Sequence, residues 1–131
     1  MKVAEAVFTN TRYDEHPFDE HEGTALGRVE ITRSFEGDLE GESTALLLTA
    51  TSEGGSAAYV ALDRVTGRLD GRAGSFVFQH RGLVSPAGAE NSGSVVPDSG
   101  TGQLSGLRGQ GRIAVDEDGT HRLLLEYDLD G

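Results

Sequence analysis

The feature that most constrains the fold is the regular spacing of turn signals along the chain. Turn signals separate short stretches in which apolar and polar residues alternate. These signals are Glu53-Gly54-Gly55-Ser56, Asp70-Gly71, the segment 86–88 and Asp118-Gly119. Helical periodicity is almost absent. Turns about every ten residues between alternating stretches are typical of an all-β sandwich or barrel.

We predict about eight strands and no helix. The expected strands cover residues 2–9, 25–35, 42–51, 57–66, 72–83, 90–96, 112–116 and 121–129. A charged segment, 13–22, is expected to be a loop between the first two strands. The whole chain, 1–131, is expected to form one domain, because its length suits one hydrophobic core.

Alternation assigns the side chains of each strand to two faces. The residues that share a face are Val29, Ile31 and Phe35; Tyr59, Ala61, Asp63 and Val65; Phe76, Phe78 and His80; and Leu123, Leu125 and Tyr127. Which face of each strand is inward stays open, because a shift of one residue in register reverses the assignment. The stretch 45–48 is continuously apolar, which indicates a strand covered on both faces.

A Gly-x-Leu-x-Gly pattern occurs three times, at 37–41, 67–71 and 102–106. We interpret it as a recurring corner in which glycine permits a sharp bend and the leucine enters the core. A meander of about eight strands with such corners is most simply a closed antiparallel barrel, which leaves no sheet edge. An open sandwich is the alternative.

Composition narrows the classes of partner and site. Cysteine is absent, which excludes disulfides, thiolate nucleophiles and cysteine-based metal sites. The 22 acidic residues against 11 lysines and arginines give a net charge of −11, which disfavours nucleic acid and anionic membranes as partners. The amino terminus has no apolar signal region, and no stretch approaches membrane-spanning length, so we expect a cytoplasmic protein.

Several blocks of sequence resemble the bacterial family catalogued as domain of unknown function 3224. The blocks are Gly37-Asp38-Leu39-Glu40-Gly41-Glu42-Ser43, the segments 58–67 and 71–80, and the longer segment 95–109. Together they lie within residues 25–129, nearly the whole chain. The resemblance implies a barrel similar to that of allene oxide cyclase, in the lipocalin-like class.

The resemblance implies no activity and carries over no catalytic residue. Two positions depart from the pattern expected for the family. Asp98 stands where glycine is expected, and Asp63 stands where glutamate is expected, which shortens the reach of the carboxylate by one methylene.

The charged segment 13–22 is the first candidate for a site. It holds His16, His21 and several carboxylates, the ligand types that bind divalent ions. Nothing in a loop that contains Pro17 makes these groups converge. The hypotheses are therefore a plain solvated loop, a lid over a barrel mouth, or a metal site, and we predict no metal or other cofactor.

The second candidate is a set of polar residues on neighbouring strands. The predicted ligand-binding residues are Glu30, Glu42, Tyr59, Asp63, Arg72, Gln79 and His80. Of the carboxamide and carboxylate groups, Asp63, Gln79 or Glu30 would project into the lumen. Burial would raise the pKa of such a carboxylate and make it a general acid or base, whereas a nearby arginine would keep it charged. An internal salt bridge is the structural alternative.

Three functions follow as hypotheses. The first is a barrel that binds a small, mostly apolar molecule. The second is a cofactor-free cyclase or isomerase resembling allene oxide cyclase, in which a carboxylate stabilises charge on a folded substrate. The third is a structural or assembly role as a homo-oligomer, with the apolar stretch 45–48 covered by another subunit. The sequence does not decide whether the protein is an enzyme.

Overall fold

The computed structural model describes residues 1–129 and shows eight antiparallel strands closed into a ring. The strands are β1 (Lys2–His21), β2 (Thr24–Gly37), β3 (Leu39–Ser52), β4 (Ala57–Leu69), β5 (Arg72–Ser85), β6 (Gly88–Val95), β7 (Arg108–Val115) and β8 (His121–Asp128). Each strand pairs with the next, and β8 pairs back onto β1. The prediction of an all-β antiparallel barrel is confirmed, and the open sandwich is wrong.

Two-residue hairpins join several strands. Asp70 and Gly71 connect β4 to β5 with φ values of 49° and 83°, the left-handed conformation that an Asp-Gly turn supplies at low cost. Glu22 and Gly23 connect β1 to β2 in the same way, with φ values of 43° and 85°. The first of these turns was predicted, whereas the second was not.

The expected loop at 13–22 is wrong, because β1 continues to His21 and pairs with β2 over that range. The register shifts between Asn10 and Arg12 and again between Pro17 and Asp19. β8 pairs only with Lys2–Phe8, so the rest of β1 is an edge segment. An edge strand tolerates charged residues and a proline. Their presence in residues 13–22 is therefore a poor indicator of a loop. The seventh strand also begins earlier than predicted, at Arg108.

The structure shows which face of each strand points into the barrel. The buried residues are those of the faces that carry Val29, Ile31, Phe35, Ala61, Val65, Phe76, Phe78, Leu123, Leu125 and Tyr127. The stretch 45–48 follows the same rule, with Ala45 and Leu47 buried and Leu46 and Leu48 at 45% and 51% exposure. The prediction that both faces of the stretch 45–48 are covered is therefore wrong for a single chain.

One end of the barrel is closed by the main core. Leu39, Leu69 and Leu104, the central residues of the Gly-x-Leu-x-Gly pattern, are at most 2% exposed, which confirms that they enter the core. Leu104 belongs to a short 3₁₀ helix, Gly102–Leu104, whose segment bonds back to β5 through Thr101 and Gln103. This segment plugs that end and leaves the opposite end as the place for a cavity.

Two facing glycines let β3 and β4 approach each other at a corner. Gly41 pairs with Gly67, and a Cβ on either would lie 2.8 Å from the Cα of the other.

Within residues 1–129 there is no helix long and apolar enough to span a membrane.

Candidate functional site

Four consecutive strands each turn one polar side chain into the middle of the barrel. These are Arg33 on β2, Ser43 on β3, Asp63 on β4 and His80 on β5, with exposures of 7%, 3%, 2% and 4%. They lie between the closed-end core and a smaller apolar cluster that includes Val29, Ile31, Ala45, Leu47 and Ala61. Their burial requires that they satisfy one another.

Asp63 is the centre of this network. Arg33 Nη1 donates to both carboxylate oxygens, at 3.1 Å to Oδ1 and 3.0 Å to Oδ2. Ser43 Oγ donates to Oδ1 at 2.9 Å, and His80 Nε2 lies 2.6 Å from Oδ2. Both oxygens of the carboxylate are therefore occupied by buried partners.

His80 extends the network toward Tyr59. Its Nδ1 lies 3.3 Å from Tyr59 Oη, and the two rings meet edge to face with centroids 5.4 Å apart. The other side of the imidazole stacks on Phe78, with centroids 5.3 Å apart. These contacts hold the imidazole between Asp63 and the tyrosine hydroxyl.

Arg33 is held by charge and by an aromatic face. Its Cζ lies 5.3 Å from the centre of the Phe8 ring, a cation–π arrangement. Its Nε is buried and has no hydrogen-bond partner within residues 1–129. An unsatisfied donor of this kind costs free energy and would be relieved by an acceptor on a bound molecule or by water.

The charge state of Asp63 follows from these contacts. Burial by itself would raise the pKa of the carboxyl group, but the hydrogen bond from His80, the charge of Arg33 and the bond from Ser43 together lower it below its ordinary value of 3.8. The prediction that burial raises the pKa of an inward carboxylate is wrong for Asp63. The predicted alternatives, an arginine that keeps it charged and an internal salt bridge, describe what is seen.

A cavity of about 400 Å³ opens at the end of the barrel opposite the plug. Its apolar lining includes Phe8, Leu47, Leu83, Ile113 and Val115. The polar side chains in this lining include Asn10, Thr49, Thr51, Glu90, Asn91 and His121. This volume and composition match those of small-molecule sites.

Arg33 and Tyr59 are the two members of the network that also line the cavity. Burial raises the pKa of the Tyr59 hydroxyl, the positive charge of Arg33 opposes that effect, and the negative charge of Asp63 adds to it. The net rise keeps the phenol protonated. Gly82, the cross-strand partner of Tyr59, gives the ring its place, since a Cβ there would lie 2.3 Å from a ring carbon.

The structure brings together three of the seven predicted ligand-binding residues: Tyr59, Asp63 and His80. Glu30, Glu42 and Gln79 are exposed on the outer face, so the predicted projection of Glu30 or Gln79 into the lumen is wrong. Each has the opposite parity to the buried residues of its strand. Gln79 bonds outside to Ser94. Arg72 lies at the closed end, beside the Asp70-Gly71 turn.

Sequence reasoning missed Arg33 and Ser43 as members of the site. The signal was parity: Arg33 falls in the inward series with Ile31 and Phe35, and Ser43 falls in that of Ala45 and Leu47. Two polar residues that share the inward face of adjacent paired strands predict a buried polar contact.

Two other places on the barrel surface gather polar side chains. The histidines and carboxylates of 13–22 are spread along the exposed β1, and no group of three such side chains within residues 1–129 is placed to hold a metal ion. A surface depression of about 440 Å³ lies between the turns at Glu22 and Glu53. Its lining contains no member of the buried network.

Comparison with known proteins supports the predicted resemblance. The family described as "Protein of unknown function (DUF3224)" matches residues 4–127. A crystal structure of a protein with unknown function from the DUF3224 family, from Shewanella oneidensis MR-1, is 33% identical in sequence. It matches with a TM-score of 0.84, over 100% of this chain and 98% of that chain. A search of curated proteins finds no match.

Proposed function

The chain belongs to the DUF3224 family, and we propose that it binds a small, mostly apolar molecule in the open end of its barrel. The observation that carries this proposal is the cavity of about 400 Å³, apolar on its walls and polar at Arg33 and Tyr59. Apolar walls supply affinity, and a few fixed polar groups supply orientation.

The polar groups indicate what the ligand carries. Arg33 has a buried donor without a partner, yet its charge is already balanced by Asp63. The protein as a whole carries a net charge of −11, which repels anions. A neutral oxygen, such as a carbonyl or a hydroxyl, fits this site better than a carboxylate.

Binding can be tested with the neutral fluorophore aminoanthracene. We expect saturable fluorescence enhancement, and displacement by small bicyclic ketones and alcohols. Thr49 lines the cavity, so Thr49→Trp should fill part of it and weaken binding about tenfold, equivalent to about 1.4 kcal/mol.

Thr66→Trp is the matched control, since Thr66 is exposed on the outer face of β4. It should bind the fluorophore as the unaltered protein does. Fluorophore binding that is absent in the unaltered protein, or equal in the Thr49→Trp and Thr66→Trp variants, would contradict a ligand site in this cavity.

A second candidate function is proton transfer without a cofactor, favoured by the chain Asp63–His80–Tyr59 that ends at the cavity wall. The step would be enolisation of a ketone. A C–H bond next to the carbonyl breaks, its proton passes to Tyr59 Oη, and the original phenolic proton passes to His80 Nδ1. Asp63 stabilises the resulting imidazolium, and Arg33 faces the enolate oxygen. A cyclase or isomerase activity resembling that of allene oxide cyclase remains a hypothesis that accompanies this second candidate.

Exchange of hydrogen for deuterium next to the carbonyl of indanone, followed by NMR in heavy water, tests this second candidate. We expect exchange faster than in buffer, and loss of that acceleration in Tyr59→Phe. A rate equal to that of buffer, or one unchanged in Tyr59→Phe, would leave ligand binding as the function of the cavity.

A further inference from the structure

The network fixes which nitrogen of His80 carries a proton. Asp63 is ionised, because Arg33, Ser43 and His80 hold its carboxylate in the charged form. An ionised carboxylate only accepts hydrogen bonds. His80 Nε2, at 2.6 Å from Asp63 Oδ2, must therefore be the donor, and Nδ1 of the neutral imidazole is left without a proton.

This tautomer sets the direction of the hydroxyl of Tyr59. With His80 neutral, Nδ1 is an acceptor, and Tyr59 Oη donates its proton to it. The lone pairs of Oη then remain for a ligand. With His80 protonated, Nδ1 donates to Oη, and the phenolic hydrogen is released to bond elsewhere.

We infer that Tyr59 is a specificity-determining residue whose polarity toward the cavity is set by the protonation of His80. A neutral His80 makes Tyr59 an acceptor and favours a ligand with a hydroxyl group. A protonated His80 makes Tyr59 a donor and favours a ligand with a carbonyl group. This inference rests on the proposed binding function.

The surroundings of His80 contain few competing charges. Asp63 and Tyr59 face it from β4, and Arg33 on β2 acts on it through Asp63. Phe78 covers it on its own strand, and Gly93 on β6 faces it without a side chain. Glu90 and His121 line the cavity but lie outside this hydrogen-bonded chain. His16 is exposed on β1 and does not line the cavity, so His16→Gln is the matched control.

Nitrogen NMR of protein with isotope-labelled histidine tests the tautomer without any ligand. In the neutral form we expect His80 to carry its proton on Nε2, and His80→Gln identifies the signals. A neutral His80 with its proton on Nδ1 would overturn the inference, even if the cavity binds ligands.

Competition by indanone and indanol then tests the effect on specificity. As His80 becomes protonated, the affinity for indanone relative to indanol should rise about two- to tenfold, the range of one neutral hydrogen bond. The rise should vanish in Tyr59→Phe and persist in His16→Gln. An equal rise in Tyr59→Phe would overturn the inference, and failure of both compounds to bind would contradict the proposed function itself.

A second inference comes from the outer surface of β3 and β4. Leu46, Leu48, Val60 and Leu62 are 45%, 51%, 53% and 56% exposed there. Leu46 pairs with Leu62, and Leu48 pairs with Val60, so they form two adjacent apolar rows. We name these four residues the outer apolar patch. Such a cluster on a surface marks an interaction site.

The charges beside the patch select a partner. Glu30 and Gln79 extend the first row on β2 and β5, and Arg28 and Arg81 extend the second. We propose that the patch docks a second copy of this chain about a two-fold axis that runs across the strands, between the two rows. The axis sets Glu30 opposite Arg28 of the other copy and one apolar row against the other.

The orientation of this dimer follows from the same charges. A two-fold axis parallel to the strands would instead place β2 over β5 and set Arg28 against Arg81, a repulsive contact. The net charge of −11 on each chain opposes association, and the apolar rows supply the attraction.

Light scattering over a range of protein concentrations tests this dimer. We expect the mass to rise to that of two chains, and Leu48→Glu to abolish the rise; Val3→Glu, at an exposed apolar residue on β1, should not. Glu30→Arg should weaken the dimer at least several-fold, and Arg28→Glu combined with Glu30→Arg should restore it. A monomer at every concentration, or no restoration in the combined variant, would overturn the dimer.

Discussion

At the scale of single residues, Asp63 shows how a barrel interior tolerates charge. The carboxylate is at once the partner of Arg33 and the group that orients His80. Removal of one member of a buried pair leaves the other charge without compensation, and that is far more costly than the pair itself. Removal of one partner should therefore cost more stability than the intact network contributes.

We predict that Asp63→Asn lowers the free energy of unfolding by about 3–5 kcal/mol at neutral pH, because Arg33 stays buried and charged. The pKa of Asp63 is lowered in the folded state. Its stabilisation is thus fully present above the unfolded value of 3.8 and is lost as the pH falls through the lower folded value.

Urea unfolding from neutral pH to acid pH measures this effect. The unaltered protein should lose the contribution of Asp63 below about pH 4, where Asp63→Asn should lose less. Glu36→Gln, at an exposed carboxylate, should follow the unaltered protein throughout. A stability of Asp63→Asn equal to that of Glu36→Gln at neutral pH would contradict this role of Asp63.

Tyr127 gives a prediction at alkaline pH. Burial, the hydrogen bond to Asp70 and the negative charge of Asp70 raise the pKa of Tyr127 to about 12. Its stabilising effect is complete below the unfolded value of 10.0 and is lost as the pH rises toward the folded value. An ultraviolet titration should show a tyrosine that ionises late, and Tyr127→Phe should remove that last step while Tyr13→Phe retains it.

At the scale of elements, glycines leave the space that aromatic rings occupy on the neighbouring strand. Gly82 lies opposite Tyr59, and Gly93 lies opposite His80, where a Cβ would come within 2.6 Å of the Phe78 ring. The site thus depends on two positions that contribute no side chain. Such glycines are hard to recognise in a sequence because they look like turn or bulge residues.

We predict that Gly82→Ala destabilises the fold by about 1–3 kcal/mol, because the added methyl group displaces the Tyr59 ring from the β4–β5 pair. It should also weaken binding of aminoanthracene. Gly54→Ala, with its nearest neighbour at 3.7 Å, should change stability little. Thermal unfolding of both variants measures the difference, and equal melting temperatures would show that Tyr59 does not depend on Gly82.

At the scale of the whole molecule, neighbouring strands of the barrel differ in the length over which they pair. β6 and β7 share only two register pairs, Gly93 with Gly111 and Ser94 with Gln110. The other neighbouring strands are paired over at least seven positions, as between β1 and β8. The plug formed around Leu104 and Leu107 lies in the connection between β6 and β7.

We predict that the β6–β7 seam opens before the rest of the barrel. Native-state hydrogen exchange should be fastest, among the strand amides of the barrel interior, in β6 and β7 and slowest in the β2–β5 sheet. Leu104→Ala should speed exchange in the seam more than elsewhere. Uniform protection of β3 and β7 would contradict this order of opening.

The class of fold could be predicted from the chain, because alternation and turn spacing are local signals. Alternation also put Tyr59 with Asp63, and His80 with Phe76 and Phe78, on one face of their strands, but it did not decide which face is inward. Arg33 has the same parity as Ile31 and Phe35, but the sequence does not say which of the buried charged residues contact one another. The prediction failed for residues 13–22, where charged residues and a proline gave an edge strand the appearance of a loop.

The contacts between strands could not be predicted from the sequence. The stagger between β2, β3, β4 and β5 brings Arg33, Ser43, Asp63 and His80 to one point, and stagger is a property of barrel closure. The same closure sends Glu30 and Gln79 outside and lowers the pKa of Asp63, because its partners come from other strands. The cavity likewise exists only where the plug does not fill the ring.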